Sequence, residues 1–155
     1  MDDRTFRNAM GTFATGVTVI TTKVGDDIHG MTANAFMSIS LNPKLVTVSI
    51  DHRAKMLEKI KAAGKYAVNI LSENQVDISM HFAGQKQAEQ IQWDEIDGLP
   101  VISDALTKII CDVYQSYEVG DHTLFIGEVK KVQISEGKPL LFFGGKYGRY
   151  ESMQN

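Results

Sequence analysis

The sequence is poor in the residues that build disulfide frameworks and metal clusters. It has one cysteine among 155 residues, Cys111, so neither an intrachain disulfide nor a CxxC metal site can form. The four histidines stand at positions 29, 52, 81 and 122, without HxxxH or HExxH spacing, and we expect no metal site. A lone cysteine is typical of a reducing compartment, so we predict a cytoplasmic protein.

A strong excess of positive charge is absent, as are long hydrophobic runs. Sixteen Lys and Arg residues against 19 Asp and Glu residues give a formal net charge of −3, which argues against nucleic acid as a partner. The first residues lack the basic and then apolar pattern of a signal peptide. No apolar run approaches the roughly 20 residues of a membrane helix, so we expect no membrane partner.

The common nucleotide and nucleophile motifs are missing as well. There is no GxxxxGK[ST] loop, no GxGxxG after a strand, and no GxSxG nucleophile elbow. Any nucleotide chemistry in this chain must therefore use another scaffold.

What remains is the composition of one ordinary globular unit. The chain is 43% hydrophobic and 23% charged, and its three prolines are far apart, with no linker or repeat. The length fits one domain, so we predict a single domain over residues 1–155. Hydrophobic periodicity predicts helices over 3–9, 53–63 and 73–82, and strands over 16–22, 45–50, 65–71, 108–118, 123–134 and 140–143.

The predicted strands follow one another through short connections. Such connections favour antiparallel pairing, because parallel strands need long crossovers. We therefore predict a mainly β fold, an antiparallel barrel with peripheral helices. The polar stretch 85–92 is predicted to be a mobile loop.

The most unusual segment is 29–40, in which small and hydroxyl side chains alternate with a few apolar ones. Small residues let a flat ligand approach the backbone, whose N–H and C=O groups can then bond the edge of a ring. A close-packed barrel strand with Ser and Thr facing its neighbours would give the same pattern. The residues alone leave both interpretations open.

Residues 31–43 (MTANAFMSISLNP) resemble the flavin-binding signature of the short-chain flavin reductase family. The resemblance continues through 6–21 (FRNAMGTFATGVTVIT), 120–129 (GDHTLFIGEV) and 140–147 (LLFFGGKY), in the family's order. It implies an FMN-binding split barrel, a homodimer, and reduction of FMN or FAD by NADH or NADPH. The nearest likeness is to the reductase components of two-component phenol and 4-hydroxyphenylacetate monooxygenases, which implies a partner monooxygenase that hydroxylates an aromatic compound.

Matched position by position, the resemblance implies a flavin site built from three stretches of the chain. The signature supplies the edge of the isoalloxazine ring, the next strand flanks the ring and the ribityl chain, and a helix end adds a further contact. These cofactor-binding residues are Met31, Thr32, Ala33, Asn34, Ala35, Ser38, Ser40, Ser49, Ile50, Phe82, Ala83 and Gly84.

Arg53 and Lys55 stand at the start of the second predicted helix. Cationic side chains beside free helix N–H groups make a phosphate anchor, and the resemblance assigns both residues to the flavin phosphate. From the residues alone, a solvated helix face is the simpler interpretation.

The Gly-Asp-His turn at 120–122 matches the family's motif beside the nicotinamide. The resemblance therefore places Asp121 and His122 there, with His122 positioning the nicotinamide, and adds Lys146 and Tyr147 on the same side. Hydride transfer is carried by the cofactors and needs no protein acid or base. Without the motif, His122 would be taken for an exposed turn residue.

Three alternatives remain from the sequence. One is a flavin oxidase like pyridoxamine-phosphate oxidase, against which the Gly-Asp-His turn argues. The second is a non-catalytic flavin- or haem-binding module, and the third is a plain β-barrel interaction protein. The sequence distinguishes neither FMN from FAD nor NADH from NADPH.

Overall fold

The computed structural model describes all 155 residues, Met1–Asn155. It contains three helices, α1 (Asp3–Met10), α2 (Lys55–Ala63) and α3 (Val76–Phe82). None of them is long and apolar enough to span a membrane. The strands are β1 (Thr15–Gly16), β2 (Thr18–Val24), β3 (Asp27–Ala33), β4 (Phe36–Leu41), β5 (Lys44–Asp51), β6 (Lys65–Ile70), β7 (Trp93–Ile96), β8 (Leu99–Ile102), β9 (Thr107–Val119), β10 (His122–Ile134), β11 (Leu140–Phe143) and β12 (Lys146–Arg149).

Seven strands form one antiparallel sheet in the order β3-β2-β6-β9-β10-β5-β4. Its two edge strands, β3 and β4, are consecutive in the chain and are joined only by Asn34 and Ala35. Three Cα–Cα steps span at most about 11 Å, so the sheet must curl until its edges meet at this corner. The result is an antiparallel split barrel with peripheral helices, and the predicted fold class is confirmed.

The barrel interior holds the main hydrophobic core, which α2 closes with the buried side chains of Met56, Leu57 and Ile60. This apolar stripe explains why the segment folds as a helix against the sheet. The predicted helix began at Arg53, but α2 begins at Lys55. The Asp51 carboxylate accepts the backbone N–H of Arg53 at 2.8 Å and holds that residue in the preceding turn.

A second hydrophobic cluster lies under α3, where Phe82 packs against Trp93 with ring centroids 5.9 Å apart. Phe82 also lies over Gly30 of β3, where a Cβ atom would come within 2.6 Å of its ring. The predicted helix began at residue 73, but α3 begins at Val76. Residues 72–75 form a turn before the helix, in which the Gln75 N–H donates to the Ser72 carbonyl at 3.0 Å and the Ser72 N–H donates to the Gln75 side-chain oxygen at 3.0 Å.

Several strands have no counterpart among the sequence predictions. Segment 29–40, for which a barrel strand is one of the two open interpretations, forms most of the edge strands β3 and β4. The hairpin β7–β8 and the terminal strand β12 fall in segments for which no strand is predicted. The long strands β9 and β10 match the predicted 108–118 and 123–134 closely, because both have many β-branched and aromatic residues.

Candidate active site

A groove opens at the corner where the two edges of the barrel meet. Its largest part, about 1360 Å³, lies between α1 and the outer face of β5 and β10, with Asn34, Ala35, Ser49 and His122 on the barrel side. An apolar part of about 690 Å³ and a small part of about 220 Å³ adjoin it, and Asn34 lines all three. We call this continuous space the corner groove.

The Asn34-Ala35 corner is held by bonds on both sides. The Ser49 N–H of β5 donates to the Ala35 carbonyl at 3.2 Å, and the Thr18 hydroxyl of β2 donates to the Ala33 carbonyl at 2.5 Å. Asn34 and Ala35 themselves lie outside both strands and are exposed. The corner therefore presents backbone and small side chains to the groove in a fixed geometry.

The structure brings together much of the predicted site. Thr32, Ala33, Asn34 and Ala35, from the end of β3 and the corner after it, line the corner groove beside Ser49 of β5. The other predicted residues that line it are Ala83, His122 and Tyr147, which come from the end of α3, the start of β10 and β12.

His122 begins β10, opposite Asp51 of β5 in the strand register. Its ring Nδ1 lies 2.7 Å from the carboxylate oxygen Oδ1 of Asp121, and its side chain is 40% exposed. The hydrogen bond to His122 lowers the pKa of the Asp121 carboxyl. Because Nδ1 is engaged by the carboxylate, Nε2 is the ring nitrogen left for a ligand.

Arg53 follows two residues after Asp51, which lies opposite His122 at one end of the groove. Its guanidinium holds the Asp51 carboxylate through two bonds, Nε–Oδ1 of 3.1 Å and Nη2–Oδ2 of 2.9 Å. This ion pair lowers the pKa of Asp51 well below its usual range. The Arg53 side chain is 87% exposed, and Lys55 is exposed at the first position of α2. Neither residue lines the corner groove.

Other predicted residues also lie outside the groove. Met31 and Ile50 pack in the barrel core and Phe82 packs in the second cluster, so these side chains support the site from behind. Ser38 and Ser40 flank a bulge in the edge strand β4. Gly84 lies in a separate polar depression, and Lys146 is exposed on β12. Their assignment to the cofactor stays a prediction.

Two threonines stand out among the groove residues that the sequence does not mark as site residues. The hydroxyl oxygens of Thr15 and Thr47 are buried without a hydrogen-bond partner, and both residues line the apolar part of the groove. A buried hydroxyl without a partner costs about 1–3 kcal/mol. A flat ring with a polar edge, such as a flavin, fits a groove that combines apolar walls with such unpaired groups. No motif in the sequence marks these two residues, because a threonine is an ordinary residue in a strand.

Comparisons with known proteins agree with this geometry. The model of the family described as "Flavin reductase like domain" matches residues 10–151. An NADH-dependent flavin reductase of a Rhodococcus species is 43% identical over 149 residues, which cover 94% of this chain and 85% of that protein. The reductase component of 4-hydroxyphenylacetate 3-monooxygenase from Thermus thermophilus is 38% identical, covering 93% and 94% of the two chains.

The fold agrees over the same length. The solved structure of the flavin reductase PheA2 in its native state superposes with a TM-score of 0.95 at 62% sequence identity. The match covers 98% of this chain and 100% of that one. Sequence and structure therefore point to the same family, and the corner of the barrel lies within the matched region.

Proposed function

The chain belongs to the flavin reductase like domain family, and we propose that it is an NADH-dependent flavin reductase that supplies reduced FMN or FAD to a separate monooxygenase. The observation that carries the proposal is the corner groove, where the Thr32–Ala35 segment meets Ser49, His122 and Tyr147. Relatives named as NADH-dependent flavin reductases and as a monooxygenase reductase component support both halves of the proposal.

Thr32–Ala35 and Ser49 would hold a flavin in the groove, and the flavin and the nicotinamide would themselves supply the hydride-transfer chemistry. The chain's own task is to hold two rings at near-attack distance, about 3–3.5 Å between reacting atoms. Backbone N–H groups of Asn34 and Ala35 lie at the corner as fixed donors for an electron-rich ring edge.

His122 is the residue we assign to the nicotinamide side. Its contact with Asp121 fixes the ring, and its place in the largest part of the groove sets it beside the corner. Since hydride transfer needs no protein base, His122 acts by orientation and local charge.

We also propose a homodimer, on the evidence of α1. Phe6 and Met10 are 53% and 55% exposed, and no residue of this eight-residue helix is buried. Isolated helices shorter than about 12–15 residues are marginal in water, so this amphipathic helix needs a covering surface. The exposed Met37 of β4 and Tyr117 of β9 offer apolar surface of the same kind. A second copy of the chain over α1 would also complete the wall of the corner groove.

We further infer that residues 1–155 act as one domain in the cytoplasm. The family match over residues 10–151 supports a single unit. Cys111 is buried with no disulfide partner, as is usual for proteins of a reducing compartment.

The proposed activity is tested by following NADH consumption with and without added FMN, FAD and riboflavin. We expect rapid oxidation that depends on flavin and slower oxidation of NADPH. NADH consumption that does not respond to any flavin would contradict the proposal.

A further inference from the structure

The most buried residue of α3 is polar. Ser79 is fully buried, whereas the apolar residues Val76, Ile78 and Phe82 of the same helix are only partly buried. Burying a hydroxyl is unfavourable unless it finds a partner, and alanine would fill nearly the same space without that cost. Packing alone therefore does not account for a serine at this position.

Ser79 makes two contacts that join three elements. Its hydroxyl oxygen lies 2.7 Å from the Tyr147 hydroxyl of β12, and its carbonyl accepts the Thr32 hydroxyl of β3 at 2.6 Å. All three residues line the small part of the corner groove, together with Asn34 and Ala83. Ser79 therefore lies in the wall of the groove, beside residues predicted to bind the cofactors.

The contact matters because it is the one side-chain hydrogen bond that joins β12 to another element. This strand pairs only with β11, and the turn between them is formed by Gly144 and Gly145, both at positive φ. The Tyr147 ring meets Phe142 of β11 edge to face at a centroid distance of 5.3 Å. That contact lies within the hairpin, so it cannot fix the hairpin against α3. Tyr147 also packs against the second hydrophobic cluster, as Phe82 of α3 does, but such an apolar contact has no fixed direction. The Ser79–Tyr147 bond is directional and sets where the Tyr147 ring lies.

We infer that Ser79 is a positioning residue for the flavin site, whose hydroxyl fixes the Tyr147 side chain so that β12 forms a defined wall of the corner groove. The inference rests on the proposed function and deepens it, because it assigns a role to a residue that has no direct place in the reaction. The sequence offers no signal for it, since Ser79 lies in an ordinary helix.

The test is a double-mutant cycle with Ser79→Ala, Tyr147→Phe and the double variant. FMN and FAD binding are measured by quenching of flavin fluorescence, and thermal unfolding is measured without flavin. Each single variant removes the same hydrogen bond, so we expect each to raise the flavin Kd by about three- to tenfold. The flavin Kd of the double variant should be no higher than that of either single variant. The fluorescence that remains when flavin is bound should change to the same extent in all three variants.

Thr22→Val is the matched control, because it removes a buried hydroxyl that donates to the Lys65 carbonyl at 2.7 Å, outside the corner groove. It should lower the melting temperature and leave flavin Kd unchanged. Flavin Kd values within twofold of wild type in all three cycle variants, with a lowered melting temperature, would show a purely structural role and overturn the inference. A double variant whose flavin Kd rises by the product of the two single-variant factors would overturn the inference too. Wild-type protein that neither binds nor reduces flavin would instead contradict the proposed function.

Discussion

At the residue scale, Thr47 is a position where we expect a substitution to affect folding stability and flavin binding in opposite directions. It is 7% exposed, its hydroxyl has no partner in the protein, and it lines the apolar part of the corner groove. We expect Thr47→Val to keep or raise the melting temperature of the ligand-free protein, because an unpaired buried hydroxyl is removed. Flavin Kd should rise about two- to tenfold if the ligand supplies the missing partner.

Thermal unfolding and flavin titration of Thr47→Val give both readings on the same sample. A lowered melting temperature with unchanged flavin Kd would show that this hydroxyl serves the fold and not the ligand.

His122 gives the second prediction at this scale. His122→Ala removes the ring that Asp121 orients in the groove, so the KM for NADH should rise and kcat/KM should fall about 10- to 100-fold. This corresponds to about 1.4–2.7 kcal/mol of transition-state stabilisation. Activity should not vanish, because the reaction needs no protein acid or base.

Steady-state kinetics with varied NADH check this, with flavin Kd as the internal control. Flavin affinity should stay near wild type in His122→Ala. Wild-type kinetics in His122→Ala would show that His122 is only an exposed turn residue. A selective loss of flavin binding would show that His122 contacts the flavin and not the nicotinamide.

At the scale of elements, the start of α2 carries the prediction about phosphate. Ala54 precedes the helix and offers no side chain to cap its first N–H groups. Arg53 uses Nε and Nη2 on Asp51, which leaves its Nη1 donors free, and Lys55 is exposed beside it. We expect Arg53→Ala/Lys55→Ala to weaken FMN and FAD binding at least roughly tenfold, since charge-assisted bonds contribute about 1.5–3 kcal/mol each.

Riboflavin, which has no phosphate, is the matched control ligand in this titration. Its affinity should barely change in the double variant. Equal losses for riboflavin and FMN would mean that the substitutions disturb the fold at Asp51. Unchanged FMN and FAD binding would mean that the two cations form a solvated helix face.

The elements also show how far the sequence predicts this fold. Strands β9 and β10 were predicted nearly to their ends because their apolar patterns are long. The hairpin β7–β8 was missed because β7 carries Asp94 and Glu95 and β8 contains Pro100, which obscure the strand pattern. β12 is four residues long and includes Gly148, so only its pairing with β11 defines it.

The site was predicted unevenly for a similar reason. The segment from Thr32 to Ala35 and the turn at His122 stand out in the sequence because they form contiguous motifs, and their roles at the cofactors stay predictions. Thr15, Thr47 and Ser79 were missed because their roles depend on a missing partner or on contacts between distant elements. The sequence does not record such relations between residues.

At the scale of the whole molecule, the exposed apolar face of the amphipathic helix α1 predicts self-association. We expect sedimentation equilibrium to give twice the chain mass of 17.2 kDa at micromolar concentration. The exposed Phe6→Asp/Met10→Asp pair should shift the protein towards monomer, because two carboxylates would be placed on the apolar face of α1. A wild-type monomer that keeps full flavin reductase activity would contradict the dimer.

The central claim is that the corner groove holds the flavin, and Ala35→Trp tests it most directly. Ala35 is exposed, joins the two edges of the barrel and lines the two larger parts of the groove, so an indole there would fill the space without entering the core. The measurement is a titration of FMN and FAD into this variant and the wild type, each checked for an unchanged melting temperature. We predict that flavin affinity falls at least roughly tenfold while the fold is kept. Wild-type flavin affinity in a folded Ala35→Trp protein would contradict the account.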